Sequence, residues 1–474
     1  MADKYDMIVI GAGSGGLSMA LGLHELGFKV LLIDKSDQAI GGECLNSGCV
    51  PSKAFIHASK SIRKAFEAKK FGLKIDGQVS LQKVWEYVKR AQDKIRSREN
   101  AGFFQNQGLD VVIGTARFAG KNQVEVNGQT YGGKKITIAT GSKPRKLKVP
   151  GVELVNCYDN ENLWNLPSLP SKILFIGAGP INMELGQAFT RLGSQVTMVE
   201  LANRILIKEA PEISEILFNQ SVELGIEFHM NTHISHFLDS NTALLKNQHE
   251  QTEISFDAVV VGIGREINHS GLNLETAKIK TDERNRIIVD PYLRTSNRNV
   301  YVIGDAAGGP QFSHGAELQA TILIKNFLSP FKSKVQYDHF SWVTFTEPEV
   351  ATFGWSEQQL RQRGKSFEKL VLDFEEDDRA VTSDYQYGRL ILFITKQLFQ
   401  FSDAKLLGGS MIAPNAGEMF QELILARSAG LGIKSLFNKI YPYPTGARVN
   451  KTIVLNKYSQ SIRPWMTKIM KLIY

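Results

Sequence analysis

The stretch YDMIVIGAGSGG, Tyr5 to Gly16, returns as SKILFIGAGPIN, Ser171 to Asn182, at an offset of 166 residues. The match outlasts the glycines. Gly11 and Gly13 fall on Gly177 and Gly179, Gly27 on Gly193, Val30 on Val196 and Asp34 on Glu200. Each copy reads as a buried apolar strand, a glycine turn, a helix and a second strand ending in an acid. That acid follows the first glycine of the turn by 23 residues in both copies. A chain that repeats this unit is constrained to α/β architecture, and 474 residues are too many for one core.

A strand–turn–helix unit with this glycine spacing is the dinucleotide-binding βαβ fingerprint. The first glycine makes the tight turn, and the second lets the backbone approach a pyrophosphate. The helix N-terminus offers that anion free N–H groups and partial positive charge. The terminal acid accepts from ribose hydroxyls. The candidates are Gly11, Gly13, Ser14, Gly16 and Asp34 in the first copy, and Gly177, Gly179, Pro180, Ile181 and Glu200 in the second. Asn182 occupies the third glycine position of the second copy, which predicts looser helix–strand packing there. Two such sites in one chain suggest electron transfer between a flavin and a nicotinamide. KKITIATGS, with Thr140 and Gly141, and DAVVVGIGR, with Gly264, each read as a strand closing one nucleotide domain. NVYVIGDAAGGPQFSH places Gly304 and Asp305 just past a strand, where the aspartate is set to bind a ribityl or phosphate-side hydroxyl. Glu200 predicts NADH over NADPH, because it accepts from a 2′-OH and would repel a 2′-phosphate. Arg204, close by, softens that preference.

A net charge of +8 reads as an excess of solvated lysines, with no nucleic-acid partner expected. No apolar run approaches the length of a membrane span. The start, MADKYDMIVIGAG, lacks the basic region and cleavage site of a signal peptide, so a cytoplasmic enzyme is expected. Three cysteines cannot build a secreted disulfide framework.

Two of the three, Cys44 and Cys49, lie in GGECLNSGCVPSKA, after a Gly-Gly turn and before the helical stretch PSKAFIHASKSIRKAFEA. Thiols at a helix N-terminus have lowered pKa, and Lys53 adds positive charge. A disulfide here would close too small a loop to add much stability, so a redox role is favoured. Zinc would need four ligands, and no second Cys or His pair stands at suitable spacing. No metal site is expected. Cys157 reads as an ordinary thiol.

GGECLNSGCVPSKA resembles the active-site segment of the class I pyridine nucleotide-disulfide oxidoreductases, the family of dihydrolipoamide dehydrogenase, glutathione reductase and mercuric reductase. The resemblance runs on through ATGS, GAGPINMELG, VGIGR, TSNRNVYVIGD, TEPEVATFGWSE and GGSMIAPNAGEM. It implies FAD on the first repeat and NAD(P)H on the second, with Gly42, Lys53, Ala116 and His314 joining the FAD contacts. It implies that Cys49 faces the flavin, that Cys44 exchanges with substrate, and that Lys53 pairs with Glu184 beside the flavin ring. It implies electron flow from NADH through FAD to a Cys44–Cys49 disulfide and on to an acceptor. Asp34 stands where the family usually has Glu.

The disulfide-reducing members carry a His-Pro motif followed by a Glu, which serve the partner subunit's thiols as acid and base. In YPYPTGAR the proline is Pro444, the His position is Tyr443 and the Glu position is Arg448. Tyrosine titrates near pH 10, so it is a poor base at neutral pH, though it can donate a hydrogen bond to a thiolate. The departure points away from dihydrolipoamide dehydrogenase and glutathione reductase, toward an electrophile that binds thiolates directly, such as a soft metal ion. The chain is thus mercuric-reductase-like, with metal ion, quinone and small disulfide open as acceptors, although no cysteine follows Cys157. The alternatives are dihydrolipoamide dehydrogenase itself, or an NADH oxidase, diaphorase or partner-binding subunit with vestigial cysteines.

The expected organisation is an FAD domain over 1–150 and 271–340, an NAD(P) domain over 151–270, and an α+β interface domain over 341–474 that makes a homodimer. A helical excursion is expected from Pro51 to Gln107. The tail SIRPWMTKIMKLIY spaces Ile462, Trp465, Met466, Ile469, Met470 and Ile473 helically, with Arg463, Lys468 and Lys471 between them. It reads as a helix packed on its own domain or the dimer, or as a weak peripheral membrane contact.

Overall fold

The computed structural model describes residues 4–397, 403–462 and 464–473, without the Met466 side chain. The repeat predicted from sequence is realised strand for strand. Lys4–Ile10 pairs in parallel with Val30–Asp34, Ile8 opposite Leu31. At the same offset Lys172–Ile176 pairs in parallel with Gln195–Glu200, Leu174 opposite Thr197. These strands read as continuous apolar runs because both faces of a parallel sheet are covered.

The first sheet runs in the order Asp110–Ile113, Val30–Asp34, Lys4–Ile10, Gln129–Ile138, Gln123–Val126, Arg117–Gly120, with Val300–Val302 also on Gln129–Ile138. That last strand arrives from far along the chain and carries Gly304 and Asp305 to the same edge. The second sheet orders Glu227–Met230, Gln195–Glu200, Lys172–Ile176, Ala258–Val261 and Cys157–Tyr158. A third sheet, Ser341–Thr344, Glu349–Gly354, Leu406–Ala413, Arg389–Thr395 and Phe367–Asp373, is wholly antiparallel and packs with helices as an α+β layer. The helical excursion resolves into Cys49–Glu67, Leu81–Arg96 and Ala101–Asn106.

One apolar cluster joins the excursion to the second sheet. Phe55 is fully buried, 4.9 Å from the Phe189 ring and 5.0 Å from Trp85. This contact lays the Cys49–Glu67 helix along the Pro180–Leu192 helix.

Looser packing at Asn182 is not what the structure shows. In the first copy Gly16 is required, since a methyl there would come 1.8 Å from Gly11 O. Asn182 is instead 1% exposed, and its Nδ2 donates to Ile176 O at 2.9 Å and Gly177 O at 2.8 Å. Room comes from the neighbouring strand. The carbonyl that crowds the first glycine belongs to Ala139 in one copy and Gly262 in the other. A methyl on Gly262 would stand 2.3 Å from Asn182 Oδ1. The small residue has moved from helix to strand, and the amide clasps the turn.

Gly262→Ala alone is therefore expected to destabilise by about 1–3 kcal/mol. The Asn182→Gly, Gly262→Ala pair should recover most of that, because it recreates the first copy's arrangement. Denaturation midpoints in a double-mutant cycle measure the coupling; additive losses would refute it.

Candidate active site

The segment Gly41–Gly48 folds tightly because its glycines permit it. Gly41 has φ 87° and Gly42 φ 61°, and a methyl on Gly42 would lie 2.5 Å from Gly13 Cα. That approach seats the short Gly42–Asn46 helix, with Cys44, against the first glycine turn. Cys49 is the first residue of its own helix, two residues earlier than the predicted start at Pro51.

Both sulfurs are free thiols, and they are electrostatically unequal. The Cys44 thiol donates to Cys49, and that hydrogen bond is the main cause drawing the Cys49 pKa down to about 6. The Ser313 hydroxyl, 3.5 Å from Cys49 Sγ, and the Lys53 charge add to the effect, while burial opposes it. The same hydrogen bond, with burial, pushes the Cys44 thiol up. Ser313 is the first residue of the Ser313–Leu328 helix, so two helix N-termini converge on one sulfur. Ser313 escaped the sequence reading, although it precedes His314 in a segment singled out there. Cys157 stands apart, its thiol pushed up by burial.

Lys53 Nζ bonds Glu184 Oε2 at 2.7 Å, and Glu184 Oε1 accepts from Phe345 N at 2.8 Å. The ammonium also lies 4.5 Å from the Phe345 ring centroid. The pairing expected from the resemblance is thus present, and it ties together three parts of the fold.

A second charge cluster was not foreseen. Glu43, beside Cys44, receives Arg265 Nη1 at 2.6 Å and also Nη2, together with Asn160 Nδ2 at 2.7 Å. Arg265 Nε donates to Ser142 Oγ at 2.7 Å, and Ser142 Oγ donates to Asp305. Burial holds the Glu43 carboxyl above its usual range despite the guanidinium. An acid next to Cys44 and the arginine closing VGIGR were the available signals.

The nucleotide candidates cluster as the fingerprint requires. Asp34 Oδ2 accepts from Ala12 N at 2.6 Å, and Glu200 Oε2 from Ala178 N at 2.7 Å, so each acid is held against its glycine turn. Burial pushes the Asp34 carboxyl up. The helices after the two turns start at Ser14 and Pro180 with no side-chain cap and no acid in the first turn, which leaves their N–H groups to an anion. Gly179 is open above, and Ile181 beside it is exposed. Gly141, Gly264 and Gly304 take φ of 67°, 109° and 70°. Thr140 donates to Asn268 O, and Gly304 N to Gln319 Oε1 at 2.6 Å. Ala116 is buried in the core. The His314 ring is engaged by Ser341 O at 2.7 Å and stacks on Phe340, so any cofactor contact there falls to the backbone. Arg204 donates to Glu209 O and Ile207 O, which occupies the group expected to soften the effect of Glu200.

Tyr443 is 67% exposed. Its hydroxyl donates to Asp378 Oδ2 at 3.1 Å, and the Arg448 guanidinium lies 5.3 Å from its ring. The Asp378 hydrogen bond and charge push the phenol up. Within one chain these contacts do not include the cysteine pair.

Residues 5–320 match the family model for pyridine nucleotide-disulphide oxidoreductases, and 340–453 match that family's dimerisation domain. The chain belongs to this family. It is 30% identical to a mercuric reductase of Lysinibacillus sphaericus, over 96% of this chain and 82% of the relative. It is 33% identical to a dihydrolipoyl dehydrogenase of Thermus scotoductus, over 93% of this chain and 95% of the relative. The fold matches the HOCl-induced flavoprotein disulfide reductase RclA of Escherichia coli at TM-score 0.82 and 24% identity, over 96% of this chain and 99% of that one. Family members use FAD and NAD(P)H and dimerise through the C-terminal domain. The uncapped helix starts and glycine cradles described above fit both nucleotides. The chain is an NAD(P)H-dependent flavin oxidoreductase.

In the reduced protein, alkylation of Cys49 by iodoacetamide should rise with a midpoint near pH 6 and fall away below it, because the thiolate is lost as pH drops through that value. Cys44→Ala should move the midpoint toward the ordinary thiol value of about 8.5, and Ser313→Ala should move it up by less. Unchanged midpoints in both variants would refute the hydrogen-bond assignment.

Proposed function

We propose that this oxidoreductase draws electrons from NADH and delivers them through Cys44 and Cys49 to an acceptor that thiolates bind directly. A soft metal ion fits ahead of a small disulfide or a quinone. One observation carries the reading: Tyr443, whose hydroxyl donates to Asp378, and Arg448, whose guanidinium lies on the Tyr443 ring, stand where an imidazole–carboxylate pair would otherwise serve the thiols, and neither is a base at neutral pH.

In this reading FAD is held by the first repeat, with Gly42, Lys53, Ala116, Asp305 and the backbone at His314. The nicotinamide is held by Gly177, Gly179, Pro180, Ile181, Glu200 and Gly264. FAD, when bound, supplies a hydride acceptor for NADH and a two-electron donor for sulfur. The chain's own residues do the rest. Lys53, oriented by Glu184, keeps a cation beside Cys49. Cys49 holds the negative charge and Cys44 keeps its proton. A disulfide substrate needs that proton removed by a base, whereas a soft cation displaces it by its own affinity for sulfur. The mercuric reductases among the relatives support a metal acceptor; the dihydrolipoyl dehydrogenases support a disulfide. The partition into 1–150 with 271–340, 151–270 and 341–474, a homodimer completing the site with Tyr443, and a cytoplasmic location belong to the same reading.

Three expectations test it. Turnover of lipoamide and glutathione disulfide should be weak, and the Tyr443→His, Arg448→Glu variant should raise it toward the factor of about 10²–10⁴ that acid–base help supplies. Efficient lipoamide turnover by the unmodified protein contradicts the reading. Cys49→Ser should abolish reduction of thiol-binding metal ions; unchanged turnover with every acceptor would favour a diaphorase with vestigial cysteines. Steady-state kcat/KM should favour NADH over NADPH, since Glu200 meets the 2′ position.

A further inference from the structure

The helix Pro464–Ile473 stands off the fold. Every one of its residues whose side chain is described is exposed, including Trp465 at 56%, Leu472 at 86% and Ile473 at 72%. It lies past residue 453, where the match to the dimerisation domain ends. At about 100° per residue, Trp465, Ile469, Met470, Leu472 and Ile473 occupy one arc of roughly 160°, while Thr467, Lys468 and Lys471 fill the opposite side. Ile462, just before the helix, is half exposed as well. Arg463, the Met466 side chain and Tyr474 lie outside the described residues. No acid occurs between Ser461 and Tyr474.

We propose that this helix lies in the surface of an anionic lipid bilayer. The apolar arc is broad and carries a tryptophan, the residue that favours the boundary between headgroups and acyl chains. Lys468 borders the arc, so its apolar stem can follow it inward, while Lys471 lies opposite the arc's centre, and both ammonium groups are placed to stay with the phosphates. The segment is too short to span a bilayer, and no described helix is long and apolar enough to do so; lying in the surface is the geometry open to it. Charge decides between the two available covers. Pairing the helix with a second copy would bring two acid-free basic segments together, whereas an anionic surface complements them. Such docking would hold the reductase at the membrane without altering the cysteine site.

The test is co-sedimentation of the FAD-loaded protein with vesicles of phosphatidylcholine alone and of phosphatidylcholine with phosphatidylglycerol, beside sedimentation velocity. The full chain should bind the anionic vesicles and lose affinity at high salt. A chain ending at Ser461 should not bind. Lys468→Glu with Lys471→Glu should weaken binding by at least about tenfold while flavin content and dimer mass stay unchanged. Quenching of Trp465 by brominated lipid should be seen in the full chain and lost in Trp465→Phe. Equal binding by the full and shortened chains, or binding by neither, overturns the proposal. So does loss of the dimer on shortening, which would assign the helix to a second copy.

Discussion

The packing of the Cys49–Glu67 helix on the Pro180–Leu192 helix is the constraint on which the rest depends. Phe55 and Phe189 interlock at its centre, and a buried phenylalanine of this kind contributes about 3–5 kcal/mol. One helix carries Cys49 and Lys53 and the other carries Glu184, so the apolar contact sets the register of the polar one. Glu184 is nearly buried and would be costly to leave unpaired. Lys53 and the Phe345 amide both satisfy it, and through Phe345 the antiparallel layer is tied in as well. The helix after the second glycine turn and the helix that begins at Cys49 are therefore packed as one unit.

On that unit the two sulfurs become different chemical groups. Nothing in their identity separates them; position does. Cys49 sits where two helices begin and a lysine approaches, while Cys44 sits on a five-residue helix pressed against the glycine turn. A single shared proton then resolves the pair into one thiolate and one thiol. Glu43 would set a negative charge one residue from Cys44, but the Arg265 fork offsets it, and Arg265 also reaches Asp305 and Ser142, so the guanidinium ties the cysteine segment to the segments of Ser142 and Asp305. The Glu43 side chain is only partly buried, so solvent shares the load, but Arg265 remains the cation that holds this acid beside the cysteine segment.

Much of this was legible in the sequence. The repeat at 166 residues, the strand registers it imposes, the glycine turns, the terminal acids and the closely spaced cysteines all follow from local rules, since glycine spacing and apolar runs act within a few residues. The asparagine in the second turn packs more tightly than its local sequence implies, for a physical reason. Its effect depends on the residue opposite, Gly262, some 80 positions away, and size compensation between distant residues leaves no local trace.

The sequence by itself determined the two glycine-turn units, the cofactor class, the closely spaced cysteines and the tyrosine and arginine at the two dyad positions, because each is a pattern of residue types along the chain. Only the tertiary structure decided which sulfur is favoured to carry the charge, that Ser313 lies against it, that Arg265 pairs with Glu43, and that Tyr443 donates to Asp378. Those outcomes turn on distances between groups far apart in the chain, and electrostatic and hydrogen-bond energies fall off within a few ångströms.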